Sequence, residues 1–226
     1  MKKLILKSKI NETNLTSTLV FNRPQDFVFK AGQYLNVVIP GLMTHGKSYT
    51  ISSTPSDDYI GLTIKKQGKF SSALLELDLG AVIEVEEPQG YFFDNFSNDE
   101  KNVFLAGGIG ITPFMSLLRS YNKNGASFKE LELMYSNKFK NEIVFFDELK
   151  VMAEKNKIKL INFLTQEKDS QFESGRVTVE TIKKQIENIS EKSFYLCGSI
   201  SFVNDMWLAL GSLGVAEERI YTEAFF

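Results

Sequence analysis

The chain has 226 residues, with apolar side chains at 43%, charged ones at 24% and a formal net charge of −2. That length makes one large domain or two modest ones, and the near-balanced charge gives no support for nucleic-acid binding as the main task. A single cysteine, Cys197, and a single histidine, His45, exclude an internal disulfide framework and an all-thiolate iron–sulfur cluster and argue against a His/Cys haem or zinc centre, so no metal site is expected.

Taken in chain order, the first 97 residues read as strands. Lys2, Lys3, Lys7 and Lys9 fit the solvated face of an alternating strand, and Leu62–Lys65 and Val82–Glu86 alternate apolar and polar residues. Pro24, Gly32, Pro40-Gly41, Gly46, Pro55, Gly61, Gly68 and Pro88-Gln89-Gly90 punctuate the run at short intervals. That pattern predicts an antiparallel barrel or sandwich, with one short helix over 71–77. The polar segment 95–100 predicts a hinge, dividing the chain into domains 1–97 and 98–226.

Beyond the hinge, strands and helices alternate. Strands are expected at 102–106, 130–135, 158–164, 193–197 and 219–223. Between them, Phe114, Leu117, Leu118 and Tyr121, then Phe145, Leu149 and Met152, fall at helical spacing. Val179, Ile182, Ile186 and Ile189 do so too, as do Val203, Met206, Leu210 and Leu213. Five strands and four helices predict a parallel α/β sheet covered on both faces. Apolar runs fall short of the ~18 residues of a membrane span, and the apolar stretch after Lys3 is too short for a signal peptide, so a cytoplasmic protein is expected.

The densest chemical signal lies at Asn102–Phe114, an apolar strand entering a glycine turn that opens a helix. Gly107, Gly108 and Gly110 permit left-handed backbone and close approach of an anion, Thr112 is a candidate N-cap, and Pro113 suits the first helical position. Free amides and the helix dipole there favour a phosphate, so the pyrophosphate of a dinucleotide is placed at this turn. The spacing departs from G-x-G-x-x-G, with Pro113 in place of the third glycine, and a purely topological turn is the competing reading.

Three further segments carry candidates. In Lys47-Ser48-Tyr49-Thr50-Ile51-Ser52-Ser53, Tyr49 offers a ring for a flat heterocycle, Thr50 a hydroxyl for its edge and Lys47 a charge for a phosphate. A plain Ser/Thr-rich edge strand is the alternative. In Lys65-Lys66-Gln67-Gly68-Lys69-Phe70-Ser71-Ser72, a basic glycine turn feeds a helix, giving either a second phosphate cradle or a solvated capped turn. Tyr195-Leu196-Cys197-Gly198-Ser199 ends a strand at the carboxyl edge, where ligands of open α/β sheets bind, although a lone thiol is also a common core residue. His45 reads as a loop residue rather than a base.

Lys47-x-Tyr49-Thr50, Gly68-x-x-Ser71, Gly107–Pro113, Tyr195–Gly198 and Glu223-Ala224-Phe225, in that order, resemble the ferredoxin–NADP reductase superfamily over essentially the whole chain. Gly175-Arg176 and Leu213–Ile220 are similar to its second domain. The resemblance implies a six-stranded antiparallel flavin barrel followed by a pyridine-nucleotide domain. It places Tyr49 on the isoalloxazine, Thr50 near flavin N5, and Lys47 with Gly68–Ser71 on the flavin phosphates. Ile51, Ser52, Lys65, Phe70, Ser72 and Phe225 join the expected cofactor contacts. Thr112, Cys197 and Gly198 flank the nicotinamide, and Glu223 lies near the flavin. Thr50, Cys197 and Glu223 are thus the residues expected around the reacting rings, none of them as a nucleophile. FAD is expected, with FMN as the alternative.

Two departures from the family pattern stand out: Lys47 replaces the usual arginine and loses its bidentate fork, and Ser199 replaces the usual proline. The second strand of the α/β half ends Tyr135-Ser136-Asn137-Lys138 without an acid for a ribose hydroxyl. Ser136 and Lys138 suit a 2′-phosphate, which favours NADPH over NADH. The expected function is hydride transfer from NAD(P)H to flavin and onward to a separate acceptor such as flavodoxin or ferredoxin. Reduction of free flavin or ferric chelates, and an electron-transfer subunit of a larger complex, are the alternatives.

Overall fold

The computed structural model describes residues 1–42 and 46–225, so His45 lies outside the described residues. Two compact units are present, one formed by Met1–Phe93 with Thr112–Lys123, the other by Asp94–Ile111 with Asn124–Phe226.

In the first unit, β1 (Lys2–Thr13), β2 (Thr16–Asn22), β3 (Tyr34–Val38), β4 (Lys47–Thr50), β5 (Tyr59–Lys65) and β6 (Val82–Val85) form one sheet in the order β4-β3-β6-β1-β2-β5. Every pairing is antiparallel. A bridge between Ile51 and Leu62 joins the end of β4 to β5 and closes the barrel, which removes a sticky edge. Leu4, Leu6, Leu19, Phe21, Leu35, Val37, Leu62, Ile64, Ile83 and Val85 fill its interior. Helix α1 (Lys69–Glu76) starts two residues before the predicted 71–77 and buries Phe70 and Leu74 on it.

The alternation expected for Leu62–Lys65 is not a boundary between core and water. Thr63 is buried as well, because its hydroxyl meets Ser52 Oγ at 2.8 Å and Thr18 Oγ1 at 2.8 Å. A polar ladder on the second face lets β5 be covered on both sides without an unpaired hydroxyl.

The other sheet contains β7 (Lys101–Gly107), which leads through α2 (Thr112–Asn124) to β8 (Glu130–Asn137), then α3 (Phe146–Asn156) and β9 (Lys159–Leu164). There follow β10 (Glu173–Ser174), α4 (Val179–Gln185), β11 (Ser193–Ser199), α5 (Ile200–Ser212) and β12 (Ile220–Phe225). The strand order is β10-β9-β8-β7-β11-β12, and all pairings are parallel. This sheet therefore has six strands, not the predicted five. The extra one, β10, is two polar residues paired with Phe163 and Leu164, too short to show any period.

Two helix readings also shift. Phe145 precedes α3 in the left-handed region at φ 60°, and the Val179–Ile189 run breaks after Gln185, leaving Ile186 in the core and Ile189, half-buried, packed against it, both outside the helix. Thr178 caps α4, accepting from the Thr181 amide at 3.3 Å.

Candidate active site

In the barrel unit, β3 pairs with β4 so that Val37, Asn36, Leu35 and Tyr34 face Lys47, Ser48, Tyr49 and Thr50. Lys47 and Ser48 are exposed, Tyr49 is half-buried and Thr50 is buried. Tyr49 stacks on Phe70 of α1, ring centroids 6.2 Å apart and planes 20° from parallel, and burial pushes its phenol up to about 12. Thr50 is 3% exposed, and its Oγ1 has no hydrogen-bond partner among the described residues. Ile51 and Ser52, expected as cofactor contacts, both have buried side chains, on opposite faces of the strand. Ile51 is core, and the Ser52 hydroxyl is held by Thr63 and by the Gly61 carbonyl at 3.2 Å.

At the start of α1 the Ser71 hydroxyl is committed locally. It accepts from the Gln67 amide at 2.9 Å and the Gly68 amide at 3.1 Å, and donates to the Gly68 carbonyl at 3.1 Å. What faces outward is the first turn of main chain. Gly68 is exposed, with nothing within 4 Å of where a Cβ would stand. Lys69 beside it is exposed, while Lys65 and Ser72 are half-buried.

Helix α2 belongs to this same unit and is fastened to the segment that follows Thr50. Ser116 Oγ donates to the Ser53 carbonyl at 2.6 Å, and Arg119 to the Ser52 carbonyl at 2.8 Å. Lys123 pairs with the buried Asp57 carboxylate, which also accepts the Thr54 amide at 2.7 Å. Burial raises the Asp57 carboxyl, but the bonds from Lys123 and Thr54 outweigh it and hold it below its ordinary value. From the other side, Arg23 donates to the carbonyls of Pro55 at 2.6 Å, Asp57 at 2.7 Å and Phe27 at 2.9 Å. Phe114 packs on Phe92 and Phe93, with centroids at 5.6 and 6.0 Å. The sequence reading missed these polar residues, since Ser116, Arg119 and Lys123 at i, i+3, i+7 look like a solvated helix stripe.

In the α/β unit, the three glycines after β7 do three different things. Gly108 takes φ +53°, the left-handed value that favours glycine. A Cβ on Gly107 would stand 2.9 Å from the Phe202 ring, and one on Gly110 would overlap the Cys197 carbonyl. The helical winding begins at Gly108 as a 3-10 turn over Gly108–Ile111 that runs into α2, so Thr112 is the first residue of the helix and not a cap outside it. Pro113 is buried in the first turn, where a missing amide is tolerated.

On β11 and β12, Cys197 pairs with Glu223, Gly198 with Ala224 and Ser199 with Phe225. Cys197 and Glu223 share a face with Tyr195 and Tyr221, whose rings stack at 4.7 Å. Gly198 points to the opposite face, where the Phe202 ring would lie 2.8 Å from a Cβ. Burial, then the neighbouring Glu223, pushes the Cys197 thiol well above its ordinary value. Burial also pushes the Glu223 carboxyl up to about 7, and its Oε2 is enclosed without a partner. Ser199 caps α5, accepting from the Phe202 amide at 3.3 Å. At the end of β8, Ser136 is half-buried and Lys138 exposed. Phe225 is half-buried.

Comparison with known proteins gives two family matches. An FAD-binding domain matches residues 2–105, and an oxidoreductase NAD-binding domain matches residues 104–207. A flavohemoprotein of Bacillus subtilis (strain 168) is 28% identical over 98% of this chain and 58% of its own length. The ferredoxin reductase component of a 3-ketosteroid-9-alpha-monooxygenase from Rhodococcus rhodochrous is 26% identical over 98% of this chain and 64% of its own. The chain thus spans about three-fifths of the length of these relatives. A ferredoxin NADP+ reductase from Neisseria gonorrhoeae, solved with bound FAD and NADP, shares the fold at TM-score 0.87 and 22% identity, covering 100% of this chain and 98% of that one.

Proposed function

We infer the reaction from one premise: the chain belongs to the ferredoxin–NADP reductase superfamily, with an FAD-binding domain followed by an NAD-binding domain. The described residues fit FAD. Thr50 presents a buried hydroxyl lacking a partner, and Gly68 leaves open space at a helix start. Bound FAD supplies the hydride-accepting and electron-releasing chemistry. We propose that NAD(P)H is the hydride donor and that electrons leave to a separate acceptor of the flavodoxin or ferredoxin kind. The Thr50 hydroxyl is the observation that carries this reading: an unpaired buried donor is costly unless a ligand completes it.

In this reading the chain's residues align and shield rather than attack. Thr50 would hold the edge of the flavin ring, Tyr49 and Phe70 would give it an apolar wall, and Lys47 with the first turn of α1 would meet its phosphates. Ser71 acts by shaping that turn, its hydroxyl being engaged there. The Gly107–Gly110 turn and Thr112 receive the dinucleotide, with Cys197 and Gly198 beside its nicotinamide. Burial moves the Glu223 carboxyl up to about 7, so it exchanges its proton near neutral pH. Ser136 and Lys138 meet a 2′-phosphate, so NADPH is the favoured donor. The Rhodococcus relative, by name a ferredoxin reductase component, favours a protein acceptor.

The test compares acceptors. Purified protein, its FAD content measured, is supplied with NADPH and either flavodoxin, ferredoxin, free FMN or a ferric chelate. Stoichiometric FAD and fast reduction of flavodoxin or ferredoxin support the reading. FAD lost on dilution, with turnover only of free flavin or ferric chelate, assigns the protein to the alternative reductase class.

A further inference from the structure

We propose that Ser116, Arg119 and Lys123 form a positioning clamp that sets Thr112 against Thr50, and so sets the geometry of hydride transfer. The proposal rests on the function inferred above. The three side chains lie on one face of α2, and each binds the segment 52–57. Two of their acceptors are main-chain carbonyls, those of Ser52 and Ser53, so the contact reads the backbone path directly after Thr50. Ser116 is one helical turn beyond Thr112. The bond from Ser116 to Ser53 therefore closes a short circuit from Thr50 through three residues of chain, across one hydrogen bond, and back up one turn to Thr112.

The far side of that circuit is stiff as well. Arg23 holds the Pro55 and Asp57 carbonyls, and Asp57 closes on both the Thr54 amide and Lys123. Segment 52–57 is thus gripped from both sides by charged and hydroxyl donors aimed at main-chain oxygens. Hydride transfer demands reacting atoms about 3–3.5 Å apart, and misplacement of about 1 Å costs roughly a hundredfold in rate. A clamp on the chain one turn from Thr112 and three residues from Thr50 acts on that distance.

The experiment uses the full FAD-loaded chain and the variants Ser116→Ala, Arg119→Met and their combination. Flavin reduction is followed in single turnover at saturating NADPH, alongside FAD content, NADP+ affinity and the visible circular dichroism of bound FAD with NADP+ added. We expect the combined variant to keep its FAD and bind NADP+ within about twofold of the parent. Its reduction rate falls about tenfold or more, and its dichroism with NADP+ changes. The single variants are read the same way, so a combined variant that does not fold leaves the comparison standing. A rate within about twofold of the parent, or one that falls only in proportion to FAD lost, overturns the proposal. Failure of the functional reading looks different: the unaltered protein itself then holds no FAD or is not reduced.

Discussion

At the scale of single residues, Thr50 and Glu223 each bury an oxygen that has no partner among the described residues. An unsatisfied buried polar group costs about 1–3 kcal/mol, so each marks a place where a ligand changes the balance. Thr50→Val removes that cost along with the contact. Without FAD the variant is expected to melt no lower than the parent, while with FAD its reduction by NADPH slows about tenfold; a variant equally fast with FAD contradicts the role given to the hydroxyl. Glu223 predicts a pH effect of definite sign. Its carboxyl is raised from the ordinary 4.5 to about 7, so the folded state is penalised once pH exceeds 4.5, and increasingly so up to about 7. Glu223→Gln is therefore expected to gain in melting temperature relative to the parent between pH 5 and 8, and a constant difference would show the carboxylate is not enclosed. The side-chain types at 47, 49, 50, 197 and 223 were legible from the sequence. That Ile51 faces the barrel core while Ser52 joins a buried polar ladder with Thr63 was not, because both depend on the barrel closing through the Ile51–Leu62 bridge.

Elements show how much of a motif is phosphate chemistry and how much is packing. The glycine turn was legible as a strand-to-helix signal, but its three glycines answer to different neighbours. Gly110 lies against the Cys197 main chain, which cannot yield as a flexible side chain could. Gly110→Ala is expected to destabilise by about 3 kcal/mol or more in urea unfolding, and a loss below 1 kcal/mol would contradict this packing. At the opposite end of the α/β sheet sits a buried ionic cluster that no motif announced. Lys192, 1% exposed, pairs with Glu130 and lies 3.0 Å from Glu132, which Lys159 reaches at 3.4 Å. Burial lowers the Lys192 ammonium, but the two carboxylates overcome this and raise it above its ordinary 10.5. Its stabilising effect is then present below that value and lost as pH rises through the raised one. Removing Lys192 leaves the buried Glu132 with only the half-exposed Lys159, so Lys192→Met is expected to cost about 1–3 kcal/mol, read by urea unfolding at pH 7. A loss under 1 kcal/mol would show the cluster to be solvated. Such a cluster escapes sequence reading because its members lie on β8, β9 and the turn before β11, far apart in the chain.

For the whole molecule, the change from short punctuated strands to alternating strands and helices carried the architecture, and five ordered motifs carried the family. Less legible was the membership of the units: Thr112–Lys123 follows β7 in sequence yet belongs with the barrel, through hydrogen bonds to carbonyls that no side-chain pattern encodes. The two-residue β10 was equally invisible to periodicity. Among the described residues, no helix is long and apolar enough to cross a membrane. The central proposal is that this chain takes hydride from a nicotinamide nucleotide onto bound FAD. Anaerobic titration of the FAD-loaded protein with NADPH, and separately NADH, tests it most directly. The flavin absorbance is expected to bleach with about one equivalent of NADPH per FAD, faster than with NADH. A flavin band that both nucleotides leave unchanged would contradict it.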